Sequence, residues 1–252
     1  MCIIALAKNV HPEYPLILIG NRDEFYMRPT MEAHWWNNDI LAGKDLEAHG
    51  TWLGVSRNGK LATLTNYRDI LGIRSDVKSR GALPVDFLVG TWTQQEYHFH
   101  ISQQAQDYNG FNLLTWENGD MFHFSNYEHQ INRVNDGIHV LSNALLDTPW
   151  FKSQLLREKF SNCLHQKIAI DCLLEILNDA TQSPEHLLPQ TGLPYEREKA
   201  ISSIYIESAD YGTCCSTVVL INHKNEVTFV EKIYPVGNRE ATLNHFEFII
   251  ES

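Results

Sequence analysis

Hydrophobic positions along this chain come in short runs broken by turn-forming residues. The first run is Cys2-Ile3-Ile4-Ala5-Leu6-Ala7 and the second Leu16-Ile17-Leu18-Ile19, with a polar, Pro-containing stretch between them. Two apolar runs flanking such a turn predict a β-hairpin. Antiparallel pairing sets the start of the first strand beside the end of the second, so Cys2 becomes a neighbour of Asn21-Arg22-Asp23-Glu24. Asn58-Gly59 between runs at 50–56 and 60–66, and Asn118-Gly119 between 111–116 and 121–124, predict two more hairpins, because Asn-Gly readily adopts the positive φ of a tight turn. Further strands are predicted over 137–143, 211–221, 227–231 and 246–250. Helices are predicted over 83–88, with Pro84 confined to the first turn, over 93–107, and twice within 150–180, where Phe151, Leu155, Leu156, Phe160 and Leu164 recur at helical spacing. The aromatic-rich stretch 25–36 and the polar stretch 70–80 lack periodicity and read as loops, and 181–196 reads as a Pro-containing connection. About ten strands and four helices alternate in blocks with hairpins predominating. The simplest architecture is α+β: an αββα four-layer sandwich of two mainly antiparallel sheets between helix layers, in a single domain over 1–252.

Composition narrows the function. Hydrophobic residues make up 43% and charged residues 20% of the 252, which supports a packed core rather than disorder. A net charge of -11 argues against a nucleic-acid footprint and against attachment to anionic membranes. No run reaches the ~18 apolar residues of a membrane span, and no basic leader opens the chain, so a cytoplasmic location is expected. The five cysteines, Cys2, Cys163, Cys172, Cys214 and Cys215, are an odd number without a secretory signal and read as reduced thiols. None has the spacing of a zinc site. His98-x-His100 lacks a second ligand pair and reads as part of a solvated polar helix or loop, so no metal is expected.

Cys2 carries the sharpest chemistry. Initiator Met is generally removed before a small residue, which would make Cys2 the true N-terminus. Its α-amine, with a pKa of roughly 7.7–8.0, would serve as base for its own thiol. Attack on an amide carbonyl gives a thioester that water then hydrolyses. Asparagines at strand ends, Asn66 and Asn143, suit the oxyanion. Asp23 suits the amine and Arg22 the thiolate. Asn21, Glu24 and Arg68 are candidate ligand-binding residues beside it. Trp35 and Trp36 either cap a sheet or line a pocket for an apolar ligand.

Met1-Cys2 followed by Asn21-Arg22-Asp23-Glu24 resembles the signature of the NRDE family, also called the transport and Golgi organisation protein 2 family. Ala42-Gly43-Lys44-Asp45, Gly50-Thr51-Trp52-Leu53-Gly54-Val55, Thr65-Asn66-Tyr67-Arg68, Ser79-Arg80-Gly81, Leu141-Ser142-Asn143, Asp147-Thr148-Pro149-Trp150 and Tyr211-Gly212-Thr213 extend the match over nearly the whole chain. The family in turn resembles N-terminal nucleophile hydrolases of the bile-salt hydrolase and penicillin V acylase branch. That resemblance implies the αββα fold and a site formed by Cys2, Arg22, Asp23, Asn66 and Asn143, acting on a small acyl amide without a cofactor. Arg22 and Asp23 are adjacent here, whereas those hydrolases separate them, which leaves open whether Asp23 or Glu24 meets the Cys2 amine. Cys214 stands where relatives usually carry Arg. The resemblance also implies a rival, non-catalytic function as a carrier of haem or another amphipathic ligand such as acyl-coenzyme A, with His34 or Cys2 as candidate haem ligands.

Overall fold

The computed structural model describes residues 2–237 and 240–251. In chain order the elements are β1 (Cys2–Lys8), β2 (Leu16–Phe25), β3 (Thr30–Trp35), β4 (Ile40–Asp45), β5 (Leu53–Ser56), β6 (Leu61–Asn66), α1 (Ala82–Val89), α2 (Gln94–Gln103), β7 (Phe111–Glu117), β8 (Asp120–Ser125), β9 (Ile131–Arg133), β10 (Gly137–Leu141), α3 (Phe151–Leu164), α4 (Ile170–Leu177), α5 (Tyr195–Ala200), β11 (Tyr211–Ile221), β12 (Glu226–Ile233) and β13 (Thr242–Ile249). The expectation of one domain over 1–252 meets a chain that forms two compact units, Met1–Met27 with Asp136–Glu247, and Arg28–Asn135 with Phe248–Ser252. Each contains one antiparallel sheet and helices packed on it, so the α+β class and both antiparallel sheets are observed.

The first unit is a six-stranded sheet in the order β10-β1-β2-β11-β12-β13. All seven residues of β1 are buried, as are the first six of β2, which is why these strands read as continuous apolar runs rather than as an alternation. Side chains still alternate between faces. Ile3, Ile17, Ile19 and Val218 pack on one face against Leu156 and Phe160 of α3 and Leu173 of α4. Cys163 in α3 and Cys172 in α4 are joined by a disulfide, which corrects the expectation of reduced thiols there; Cys2, Cys214 and Cys215 are free. Asn21 ties the helix layer to the sheet. Its Nδ2 donates to Leu177 O at 2.8 Å and Ile204 O at 3.0 Å, and its Oδ1 accepts from Ser216 Oγ at 2.5 Å.

The second unit is a seven-stranded meander, β3-β4-β5-β6-β7-β8-β9. Phe87 of α1 and Tyr97 and Ile101 of α2 pack on Ala62, Leu64, Phe111 and Leu113 of its central strands. Thr93 and Glu96 form a capping box that starts α2, satisfying two helix N–H groups reciprocally. Asn118 and Gly119 have φ of 51° and 84°, the geometry the Asn-Gly turn demands.

Four local expectations change. The stretch 25–36 contains strand β3, whose edge position and register shift between Met31 and His34 erase the alternation a strand normally displays. β9 has only three residues, too few to show a period. Residues 195–200, at the end of the expected connection, form α5 immediately after Pro194, which acts as a start signal rather than a break. His98 is not solvated. It is fully buried on the sheet side of α2, its Nε2 is 2.8 Å from Thr115 Oγ1, and Thr115 Oγ1 donates to Gln94 Oε1. No helix among the described residues is long and apolar enough to cross a membrane.

Two stability predictions arise. Replacing Asn21 with Leu removes the side-chain donor from two buried carbonyls and one of the two partners of the Ser216 hydroxyl, which keeps Tyr234 OH, so urea unfolding should show a loss of about 2 kcal/mol or more; an unchanged midpoint would mean that Asn21 is not a structural residue. Burial, and secondarily His123, pushes the His98 pKa down to about 3 from an ordinary value of 6.5. The unfolded chain therefore takes up this proton near pH 6.5 while the folded chain refuses it, and stability falls as pH drops from 6.5 toward 3, by at most about 1.4 kcal/mol per unit. His98→Gln should flatten that part of the stability–pH curve measured by chemical denaturation.

Candidate active site

The register of three strands builds the site in the first unit. Cys2 of β1 lies opposite Arg22 of β2, and Ile3 opposite Asn21. On its other side β2 pairs with β11, so that Arg22 lies opposite Cys215, Asn21 opposite Ser216 and Asp23 opposite Thr213. Directly opposed residues share a face. Cys2, Arg22 and Cys215 therefore stand in one row on the face away from α3 and α4. Asn21 and Asp23 share the helix-packed face with Ile17 and Ile19.

A β-bulge reconciles the two faces. Four residues of β11, Thr213 to Ser216, oppose three of β2, Asp23 to Asn21, and the register shifts between Thr213 and Cys215. Cys214 is the extra residue. Without it, Thr213 could bond Asp23 or Ser216 could bond Asn21, but not both. Cys214 Sγ sits 3.8 Å from Glu24 O and 3.6 Å from Gly212 O, directly beside the Asn21–Glu24 segment.

Electrostatics on the Cys2 face centre on Arg22. Burial works against its charge, but Glu24, 3.5 Å from Nη2, together with the thiols of Cys215, Cys2 and Cys214, more than offsets this and raises its pKa. The Cys2 thiol is only 7% exposed, and burial pushes it up to about 11. Asp23 and Glu24 push the same way, and Arg22 opposes them. Burial likewise holds Cys215 well above the ordinary thiol range, with Glu231 adding to it.

On the helix face Asp23 is fully buried. Its Oδ1 accepts from Thr213 Oγ1 at 2.8 Å, and its backbone carbonyl accepts from Tyr211 OH at 3.1 Å. Burial raises its pKa, and Lys152 is the strongest of the groups pulling it back down. Lys152 is itself 2% exposed and donates from Nζ to Ile201 O at 3.1 Å. Neither Lys152 nor Thr213 is among the sequence-based candidates. The signal for Lys152 was present: Lys152, Leu156 and Phe160 are spaced by four, so the periodicity that buries the two apolar residues buries the lysine as well.

Asn143 is buried just beyond β10, whose Leu141 pairs with Ile4. Ser142 Oγ lies 3.5 Å from Cys2 O and 3.4 Å from Asn143 Oδ1, so this turn sits at the head of β1. Asn21, a ligand-contacting candidate by sequence, is committed instead to the protein's own backbone and Ser216, because its buried carboxamide is engaged at both ends. The remaining candidates belong to the second unit. Asn66 ends β6, and Arg68 is buried two residues on. Trp35 lies under Arg57, 4.0 Å from its ring centre, and meets Phe248 edge-on at 4.9 Å. Trp36 donates from Nε1 to Ala42 O at 3.0 Å, and its ring faces Lys44. Both rings thus have partners in their own unit, in keeping with the sheet-capping role. His34 Nδ1 lies 2.8 Å from Glu32 O.

Comparison with known proteins agrees with the segments that carry the resemblance. Residues 1–235 match the family model described as Transport and Golgi organisation 2. The Transport and Golgi organization protein 2 homolog of Bos taurus is 37% identical over 92% of each chain, and the homolog of Mus musculus is 34% identical over 100% of each. The Transport and Golgi organization protein 2 of Drosophila melanogaster is 25% identical over 92% of each chain. Among solved structures, the C2A mutant of conjugated bile acid hydrolase from Clostridium perfringens gives a TM-score of 0.45 at 10% identity, covering 98% of this chain and 92% of that one. On the family model and the identity to full-length relatives, this chain belongs to the Transport and Golgi organisation 2 family.

Proposed function

We propose that this chain is a cysteine-type N-terminal nucleophile amidohydrolase acting on a small acyl amide, with Cys2 as nucleophile after removal of Met1, a residue outside those described. The observation that carries this reading is the register that sets Cys2 at the head of a buried strand directly opposite Arg22. Met1 removal converts the Cys2 nitrogen into an α-amine titrating near roughly 7.7–8.0, next to its own thiol. The amine takes the thiol proton and Sγ bonds to the amide carbon. The carbonyl oxygen becomes an oxyanion, for which Asn143 is the proposed donor. The C–N bond then breaks, the ammonium returns its proton to the leaving amine, and a thioester remains. A water molecule activated by the same amine adds to the thioester, the acid departs, and Cys2 is regenerated. Arg22 favours the thiolate and Asp23 the ammonium.

While Met1 is present the thiol is buried and its pKa stands at about 11, which suits an inert precursor. Each unit by which the pKa falls raises the thiolate fraction at pH 7 about tenfold. The Met1-retaining chain should therefore alkylate with iodoacetamide at Cys2 at least about 100-fold more slowly than the processed chain, read by intact and peptide mass spectrometry. The processed chain should release 4-nitroaniline from a short-chain acyl-4-nitroanilide and Cys2→Ala should not. Met1 retained on the mature protein, or equal turnover by Cys2→Ala, overturns the reading. Saturable 1:1 haem binding without turnover would favour a carrier instead.

A further inference from the structure

We infer that Thr213 is a positioning residue that fixes the Asp23 carboxylate for the Cys2 ammonium, an inference that rests on the nucleophile reading above. A hydroxyl has one proton to give. The Ile206 N–H donates to Thr213 Oγ1 at 2.9 Å, and the Thr213 proton goes to Asp23 Oδ1 at 2.8 Å. The Thr213 N–H donates in turn to Ile206 O at 2.8 Å. This reciprocal pair pins residue 213 to the 201–206 segment, and with its lone pair engaged the hydroxyl has one orientation, toward the carboxylate. Tyr211 OH holds the Asp23 backbone from the same strand.

The bulge adds a second, independent constraint. It is the device that lets β11 keep Thr213 opposite Asp23 while still placing Cys215 opposite Arg22 and Ser216 opposite Asn21. Cys2 is paired with Arg22, one residue from Asp23. Its nitrogen lies in the backbone plane of the sheet. A carboxylate on the helix face therefore reaches the ammonium, while Sγ stands on the opposite face with Arg22. This division lets one residue present its base and its nucleophile to different partners, and it favours Asp23 over Glu24 as the carboxylate that meets the amine.

The charged and titratable groups that act on Asp23 include Lys152 from α3 on its own face, Arg22 and Cys2 across the sheet, and Tyr26 just beyond β2. Burial favours the protonated acid, and Lys152 and the Thr213 hydroxyl oppose it. Loss of the hydroxyl moves Asp23 toward protonation. A protonated Asp23 no longer holds the ammonium, and its charge no longer acts on the Cys2 thiol.

The test uses Met1-processed wild type, Thr213→Val and Thr213→Ser. Two titrations are read on each: the Asp23 side-chain carboxyl by 13C NMR, and the rate of Cys2 alkylation by iodoacetamide against pH. In Thr213→Val the Asp23 midpoint should move upward by about one unit or more, the Cys2 midpoint should move with the altered Asp23 charge, and Thr213→Ser should restore both. A folded Thr213→Val with both midpoints at wild-type values overturns the inference. Should Val not fold, Thr213→Ala replaces it; if neither folds while Ser does, Thr213 is a structural residue and the inference falls. A wild-type Cys2 that alkylates no faster after Met1 removal would sink the nucleophile reading, whereas the Asp23 titration would still decide whether Thr213 governs the carboxylate.

Discussion

The site depends first on the two-residue period of β2. This strand lies between β1 and β11, so every residue from Leu16 to Arg22 is registered on both sides. A slip of one residue would exchange the faces of Asn21, Arg22 and Asp23. Three things prevent it: the apolar positions Ile17 and Ile19 that must meet α3 and α4, the Asn21 carboxamide that reaches the end of α4, and the bulge that absorbs the odd residue in β11. The four-residue Asn-Arg-Asp-Glu segment is thus divided by geometry. Asn21 holds the fold, Arg22 and Glu24 serve the Cys2 face, and Asp23 serves the helix face.

Burying that many polar groups is costly unless each is compensated, because a charge taken from water keeps only what its neighbours return. The compensation here is local and specific. The Arg22 guanidinium is balanced by Glu24; Asp23 has a hydroxyl at one oxygen and Lys152 as the foremost opposing charge. Lys8 at the far end of β1 meets Asp136 at 2.5 Å. Burial is the leading influence on the Cys2 and Cys215 thiols and raises the pKa of both, with Asp23 and Glu24 adding to it at Cys2 and Glu231 at Cys215.

Much of the fold is legible in the sequence, and the parts that are not share a cause. The β1–β2 hairpin, both Asn-Gly turns, and the helices α1, α3 and α4 follow from apolar runs, turn chemistry and helical spacing, all of which are local. β3 is hidden because an edge strand has one neighbour and tolerates aromatics on either face. His98 is misplaced because a histidine between Tyr97 and Phe99 carries no mark of which side is buried; only Thr115, seventeen residues away, supplies its partner. The site divides in the same manner. Cys2, Arg22 and Asp23 are readable because they end two adjacent strands. Thr213 and Lys152 come from β11 and α3, and no local pattern says that either faces Asp23. Asn21 is legible as part of a signature but not as a structural residue, since its partners Leu177 and Ile204 lie far along the chain.

The same geometry separates two requirements that sequence reading merges. A nucleophile at a chain terminus must be reachable, yet a strand must be paired and buried to be placed. On the proposed function β1 meets both by beginning at Cys2, which already has its register partner Arg22, so neither sulfur nor nitrogen needs a flexible tail to be positioned. Preorganisation of this kind removes the entropy of ordering from the reacting step. It also makes the covalent state of position 1 decisive. The register partner of Cys2 is in place in this structure, and the proposed processing would convert its nitrogen from a peptide to an amine. On the proposed function, a strand register built for stability would become a proton-transfer geometry through one hydrolysed bond, with Asp23 held by Thr213 on the opposite face of the sheet.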